Sequence, residues 1–395
     1  IKTALKKTLL PDSSMFESMG FSYMGPVDGH DVEALTQSLQ WAREQRCPVL
    51  LHVRTVKGKG YSPAEERPAD YHGVSPFDPV TGKPLRTAKM DFSHVFGQEL
   101  IALAGEDGRV CAITAAMQEG TGLTEFARKY PDRLFDVGIA EGHAVSMAGG
   151  MAKQGLVPVF AVYSSFLQRG YDQLLQDVAL DGLHVVLGVD RAGLVGADGE
   201  THHGCFDALY LSQVPHMTVL CPASFAELRQ MLRRAVLELT GPVAVRYPRG
   251  GEGAYQDCCG NETFTQVRPG ADCTILTYGV LINEALAAAE LLHEAGVETR
   301  VVKLNAIAPL DGNAVLAALG SEKRLLVLED CVGSGCVGQR LTAILAQRGR
   351  MPERLILKNL GDTIPCHGTV PQLYAQCGLD AASVAAALKE ACHEQ

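Results

Sequence analysis

One glutamate, four arginines and a pair of histidines sit in segments whose composition suits chemistry better than packing. Glu141 lies in DVGIAEGHA (136–144), at an expected strand-to-helix junction. A carboxylate there is favoured by the helix dipole. It reads either as a simple cap or as a buried ligand group at the carboxyl ends of parallel strands, where open α/β sheets bind ligands. YSSFLQR (163–169) follows an apolar run. Its Tyr163, Phe166 and Arg169 read as a pocket rim, or as core aromatics beside a surface arginine. The densest stretch is DRAGLVGADGETHHGCFD (190–207), which packs four glycines around Arg191, Asp198 and His202-His203. No helix or strand suits that composition, so it must be a loop of the kind that carries function. Adjacent side chains point apart, which disfavours a joint metal site. One histidine as an acid–base group or substrate contact fits better. Arg246 and Arg249 in VRYPRG (245–250) complete the set. With Arg169 and Arg191 they form either separate ion pairs or a cationic cluster for a small anion, because guanidinium binds phosphate and carboxylate bidentately.

Two further segments imitate nucleotide sites. GSGCVG (333–338) has the GxGxxG spacing, but apolar residues stand where an acidic ribose contact about 20 residues on belongs. A tight packing turn is expected. KGKG (57–60) lacks the phosphate-loop frame, although Lys57, after a strand, can still face a phosphate.

Such groups need a scaffold that gathers them, and the pattern is that of βαβ units and parallel sheets. Helices are expected over 31–44, 92–104, 141–153, 166–179, 225–238, 283–295 and 337–347. Strands are expected over 49–56, 110–114, 157–162, 185–190, 217–221, 243–246, 274–278, 299–304, 325–329 and 354–360. Residues 57–84 read as one long connection, of a length that is usually functional. Four segments emerge: 1–87, 88–250, a linker over 251–267, and 268–395. The first has too few elements to close a sheet, and the chain opens at Ile1 without a Met or a signal-peptide layout. It is expected to be the tail of a domain whose beginning lies elsewhere.

Composition narrows the function. Lys plus Arg number 35 against 45 Asp plus Glu, a net charge of −10, which argues against a nucleic-acid or anionic-membrane surface. No apolar run reaches the ~18 residues of a membrane span. The 12 cysteines include no CxxC pair, and neither Cys258-Cys259 nor Cys331/Cys336 has zinc spacing. Reduced thiols in a cytoplasmic protein are expected.

Seven ordered motifs resemble one family: GPVDGHD (25–31), TVKGKGYSPAE (55–65), ITAAMQEGTGL (113–123), FDVGIAEGHAV (135–145), YSSFLQRGYDQL (163–174), the 190–207 loop and RYPRG (246–250). They are similar to the 1-deoxy-D-xylulose-5-phosphate synthases, thiamine-diphosphate enzymes of the transketolase superfamily. The 190–207 loop is unlike that of transketolases proper or of 2-oxo-acid dehydrogenase β subunits. The resemblance implies an α/β fold with thiamine-diphosphate-binding parallel-sheet domains and a transketolase C-terminal-like domain. It implies a homodimer that decarboxylates pyruvate and joins the two-carbon fragment to D-glyceraldehyde 3-phosphate. Glu141 would hydrogen-bond the aminopyrimidine of thiamine diphosphate, Phe166 would stack on it, and Met117 and Ile139 would hold the cofactor bent. Lys57 would face the diphosphate and His72 the reaction centre. Tyr163, Arg191 and Arg249 would take the acceptor's phosphate, with Asp198 and the catalytic His202 nearby and Arg169 in support.

The sequence departs from the family pattern at several places. No Gly-Asp-Gly segment, which the family uses for Mg2+ and diphosphate, occurs in these 395 residues. Its ligands are expected in an N-terminal portion outside them, so the implied Mg2+ has no ligand here. Gly142 replaces a usual Gln, Glu200 a usual Pro, and Ala308 a usual Lys. These residues alone are expected to be inactive. A silent half that only aids folding or dimerisation, and a transketolase-like enzyme of other donor specificity, are the alternatives.

Overall fold

Fully apolar runs become the central strands of parallel sheets, because helices cover both faces and leave no side for polar residues. The computed structural model describes residues 11–68, 70–74, 76–85, 89–258, 262–320 and 323–393. The chain divides into two units, 1–88 and 89–395. Cys259 lies outside the described residues.

In the first unit, β1 (Ser22–Asp28) and β2 (Val49–Arg54) pair in parallel across the helix Val32–Glu44. Asp31 caps that helix, accepting from Ala34 N at 3.0 Å, which removes one of its orphan donors. Beyond β2, Val56 N donates to His30 Nε2 at 2.7 Å and fixes the start of the KGKG turn. β1 and the helix Pro11–Ser18 were not legible in sequence, and the 57–84 connection contains a short helix, Ser62–Glu66.

The second unit contains two sheets. The strands β3 (Val110–Thr114), β4 (Leu134–Asp136), β5 (Val157–Tyr163), β6 (Val186–Asp190), β7 (Thr218–Leu220) and β8 (Val243–Arg246) run parallel in the order β7-β8-β6-β5-β3-β4. The other sheet joins β9 (Phe264–Arg268), β10 (Cys273–Tyr278), β11 (Thr299–Leu304), β13 (Arg324–Leu328) and β14 (Arg354–Lys358) in the order β14-β13-β10-β11-β9. β9 is antiparallel and lies at the end of the expected linker. β12 (Ala306–Ala308) leaves the second sheet and pairs antiparallel with β7, extending the first. The expected boundary between the two domains is therefore crossed by a strand.

One expected helix is corrected. Residues 166–179 do not form a single α-helix. The chain passes through Ser164–Leu167, a 3₁₀ turn at Gln168–Gly170, a helical turn at Tyr171–Gln173 and a π-helical turn at Leu174–Ala179. π-turns shift the register of a helix face and occur frequently at functional sites.

A buried ion pair of the first sheet's domain lies against the second sheet. Arg246, at the end of β8, donates through Nε and Nη2 to Asp207 at 2.9 and 3.1 Å. Its guanidinium also lies 3.9 Å from Asp330 and 5.3 Å from the Tyr278 ring. It is buried and neutralised, so it does not join a cluster for a diffusible anion. Breaking such a pair from one side strands a charge in the interior. Asp207→Ala should therefore destabilise the unit by about 3–5 kcal/mol, read as a fall in the urea midpoint; an unchanged midpoint would refute the role given to this pair.

Candidate functional site

Five parallel strands deliver their carboxyl ends to one region, and the sequence candidates of the second unit lie at these ends or in the segments that follow them. After β3 the chain turns at Ala116, whose φ of 59° is uncommon for a residue with a Cβ. The turn is held by Asp136 at the end of β4, whose Oδ1 accepts from Ala116 N at 2.8 Å and Gly138 N at 2.9 Å. One carboxylate thus sets both turns that carry Met117 and Ile139. Met117 is half-buried against the core, whereas Ile139 is 83% exposed, an apolar side chain left open beside the start of the next helix.

That helix, Glu141–Lys153, begins with Glu141, which is buried. Glu141 Oε1 accepts from Arg169 Nη1 at 3.0 Å, and Arg169 itself is 60% exposed. The charge at the helix N-terminus is thus paired as well as dipole-stabilised, so Glu141 is more than a cap. Gly142 follows without interrupting the helix; a Cβ there would lie 3.3 Å from the Gln173 amide.

Past β6 lies a second cluster. Asp190 is buried and accepts from Ser93 Oγ at 2.7 Å, Arg191 N at 2.7 Å and Arg191 Nη1 at 3.0 Å. Burial raises its pKa, against the pull of Arg191. Arg191 adopts φ 59°, and its Nη1 also donates to Gly120 O at 2.7 Å and Ser93 Oγ at 3.1 Å. Asp198 Oδ2 reaches Arg249 Nε at 3.0 Å and Arg191 Nε at 3.7 Å. Asp91, Ser93, Arg191, Val195, Arg249, Gly250 and Val370 line a cleft of ≈ 330 Å³. Arg191 and Arg249 are therefore brought together. Arg169 belongs with Glu141 and Arg246 with Asp207.

Aromatic rings join the two clusters. The Arg191 guanidinium lies 4.0 Å from the Tyr163 ring centroid, Tyr163 stacks on Phe166 at 5.5 Å, and Arg169 lies 5.3 Å from Phe166. The result is a ladder of cation, ring, ring and cation. Burial pushes the Tyr163 hydroxyl up to about 12, against Arg191, so it is protonated at neutral pH. Gly120 is required here, since a Cβ would sit 2.0 Å from Tyr163 Oη. His202 packs edge-on against Phe166 at 5.2 Å and Tyr163 at 6.4 Å, with its Nδ1 2.9 Å from Thr201 Oγ1. His203 points elsewhere: it is buried, and its Nδ1 accepts from Val195 N at 3.2 Å across the loop. Glu200 is exposed in the same turn.

Sequence reasoning missed Ser93, Asp190 and Gly120. Asp190 was legible as the last residue of an apolar strand, where a carboxylate needs a reason. Gly120 and Ser93 carry no local signal, because their role is contact with Tyr163 and Arg191. Lys57 and His72 belong to the first unit, where both are exposed on the connection after β2. The GSGCVG turn is a packing turn: Glu329 caps it, accepting from Val337 N at 2.9 Å and Gly338 N at 2.8 Å, so a carboxylate of the chain fills the place a phosphate would take. Among the described residues, no group of three or more His, Cys, Asp or Glu could hold a metal ion. No described helix is long and apolar enough to cross a membrane.

Comparison with known proteins places the chain in a family. Residues 1–55 match the 1-deoxy-D-xylulose-5-phosphate synthase model, 88–251 the transketolase pyrimidine-binding domain, and 263–384 the transketolase C-terminal domain. The chain is 44% identical over 384 residues to a 1-deoxy-D-xylulose-5-phosphate synthase of Desulforudis audaxviator, covering 96% of this chain and 60% of the relative. It is 43% identical over 400 residues to that of Pelotomaculum thermopropionicum, covering 99% and 62%. The chain thus spans about three-fifths of these relatives. Among solved structures, one described as a split gene transketolase, inactive beta4 tetramer, is similar with a TM-score of 0.67 and 25% identity, over 76% of this chain and 97% of that one. A transketolase of Pichia stipitis shares the fold, with a TM-score of 0.64 and 14% identity over 78% and 46%.

The His203 contact carries a pH signature. Burial lowers the His203 pKa, so the folded chain resists the proton that the unfolded chain takes up below about pH 6.5. Stability from this residue is present above that pH and lost as the pH falls. His203→Asn, which offers an oxygen near the Nδ1 position, should lessen the fall in Tm between about pH 7 and pH 5. Identical Tm–pH curves for the two proteins would count against a neutral, accepting His203.

Proposed function

The chain belongs to the 1-deoxy-D-xylulose-5-phosphate synthase family of the transketolase superfamily, and on that premise we propose that it supplies the pyrimidine-binding and C-terminal portions of such an enzyme. The reaction proposed is decarboxylation of pyruvate and transfer of the two-carbon fragment to D-glyceraldehyde 3-phosphate, giving 1-deoxy-D-xylulose 5-phosphate and CO2. The setting proposed is a cytoplasmic homodimer. The observation that carries the reading is the pairing, through one aromatic ladder, of a buried carboxylate site with a two-arginine anion site.

The carboxylate site fits an aminopyrimidine. A flat heteroaromatic with N–H donors needs a buried acceptor and apolar walls; Glu141 is that acceptor, and Phe166, Met117 and the exposed Ile139 offer the walls. Thiamine diphosphate, when bound, supplies the electron sink for the decarboxylation. With thiamine diphosphate bound, Glu141 would hydrogen-bond the aminopyrimidine and exchange a proton with it, and Arg169 would fix the orientation of the Glu141 carboxylate. Arg191 and Arg249 bind the phosphate of the acceptor, with the Tyr163 hydroxyl beside them and Asp198 at the rim. His202, packed on the Phe166 and Tyr163 rings between the two sites, is the candidate acid–base group. Lys57 and His72 are proposed to serve the diphosphate and the reaction centre. Mg2+ is proposed to be held with the diphosphate by a region of the kind that carries the Gly-Asp-Gly segment.

The 395 residues alone should show no turnover and bind thiamine diphosphate weakly. Product should appear, measured from pyruvate and glyceraldehyde 3-phosphate, once a diphosphate-binding region is supplied in cis or in trans. In that active form Glu141→Gln should lower kcat by about 10²- to 10⁴-fold, the range of a proton-transfer group. Arg191→Met should raise the KM for glyceraldehyde 3-phosphate by at least about tenfold, the loss of a charged hydrogen bond, while the KM for pyruvate stays near its original value. Equal increases in both KM values would contradict the assignment of Arg191 to the phosphate.

A further inference from the structure

The two arginines of the cleft already hold an anion, and it is the chain's own. Asp198 Oδ2 lies 3.0 Å from Arg249 Nε and 3.7 Å from Arg191 Nε. The second distance is charge pairing without a hydrogen bond, and Arg191 Nε is buried with no hydrogen-bond partner. Arg191 Nη1, by contrast, is committed to Ser93, Gly120 and Asp190. The cleft therefore contains a donor aimed at an acceptor that the resident carboxylate approaches but does not satisfy.

The local charges sharpen the point. Arg191 and Arg249 are paired with Asp190 and Asp198, so an anion that engages both arginines competes with one of these two carboxylates. Asp190 cannot leave, because it is fully buried and accepts from the hydroxyl of Ser93 as well as from Arg191. Asp198 can. It ends a short 3₁₀ turn, Gly196–Asp198, its side chain is 23% exposed, and Gly199 follows at φ 82°. Its ion pairs are with the two arginines.

We infer that Asp198 is an internal plug of the acceptor-phosphate site, a tethered carboxylate that a phosphate dianion displaces and a free carboxylate does not. The inference rests on the proposed phosphate role of Arg191 and Arg249 and adds to it a source of selectivity between the two substrates. A tethered group competes at an effective concentration in the millimolar range or above. Pyruvate offers the same carboxylate and the same single charge, so it gains nothing by replacing Asp198. A phosphate dianion brings one more charge and a third oxygen able to accept from the unpartnered Arg191 Nε. The donor substrate is thus kept off the acceptor's arginines by a group of its own chemical class.

The test is calorimetric titration of inorganic phosphate into the full 395-residue chain at low ionic strength, where partly exposed charges are least screened. With the plug removed, Asp198→Asn should bind phosphate about tenfold more tightly, the factor expected if the open cleft is about one-tenth populated. Pyruvate should then compete with phosphate in the variant and not in the unaltered chain. Asp198→Ser, which also lacks the charge, should behave alike and guards against an effect peculiar to the amide. Unchanged or weaker phosphate binding in both variants, or equal competition by pyruvate throughout, overturns the plug. Arg249→Met separates the two levels of the argument. If it abolishes phosphate binding while the Asp198 variants fail to tighten it, only the plug is wrong. If it leaves phosphate binding untouched, the arginine site itself is wrong, and the plug with it.

Discussion

The second unit's site depends on one buried carboxylate at the end of β6. Asp190 is out of water, which is unfavourable for its charge, and the surroundings answer with a hydroxyl, a backbone amide and a guanidinium. Those three donors are what make the burial tolerable. Satisfying them fixes the next residue: Arg191 takes a left-handed backbone conformation and turns its guanidinium back over its own strand end. The remaining guanidinium edge is left facing the cleft. A surface arginine would instead spread over many rotamers and lose that freedom on binding.

The aromatic ladder extends this order across the strand ends. Tyr163 is clamped between Arg191 and Phe166, and Phe166 between Tyr163 and Arg169. Arg169 in turn holds Glu141. Each contact is modest, on the order of 1 kcal/mol, but the series means that neither cluster can shift without disturbing the ring between them. The irregular helix after β5 follows from the same demand. Residues 164–179 must place Phe166 and Arg169 toward the site, pack Leu174 and Val178 into the core and leave Gln173 against Gly142. A regular 3.6-residue period does not serve all three, and the chain changes winding three times within sixteen residues.

Much of this was legible in the sequence wherever a signal is local. The all-apolar runs of β3, β5 and β6 could be little else than buried parallel strands, and 190–207 could only be a loop. The resemblance then named the residues, and those of the second unit lie at the carboxyl ends of its strands or in the segments that follow them. What could not be read was partnership. Four arginines in acidic surroundings look alike in sequence. Only the fold shows that Arg246 faces inward to Asp207, Arg169 to Glu141, and Arg191 and Arg249 to a common cleft. Short or edge elements such as β1, β4 and β12 were missed for a related reason: three to seven residues with mixed exposure give no clear period.

The C-terminal sheet has a place in this argument although it contributes few polar groups to the cleft. The 190–207 loop is long and glycine-rich, and left alone it would sample many shapes. It is held from outside. Val332 N donates to Cys205 O at 3.1 Å, and His367 Nε2 lies 3.3 Å from Ala197 O. A Cβ on Gly193 would meet Asp330 Oδ2 at 1.9 Å, and one on Gly196 would meet Gly368 O at 3.0 Å. The glycines are therefore required where the C-terminal part presses on the loop, and not only for turning. Together with β12 on the first sheet's edge and Arg246 beneath the interface, these contacts make the second unit a single mechanical body. The loop carries both Asp198 and His202, so the C-terminal portion controls the position of the anion cleft and of the histidine on the aromatic ladder.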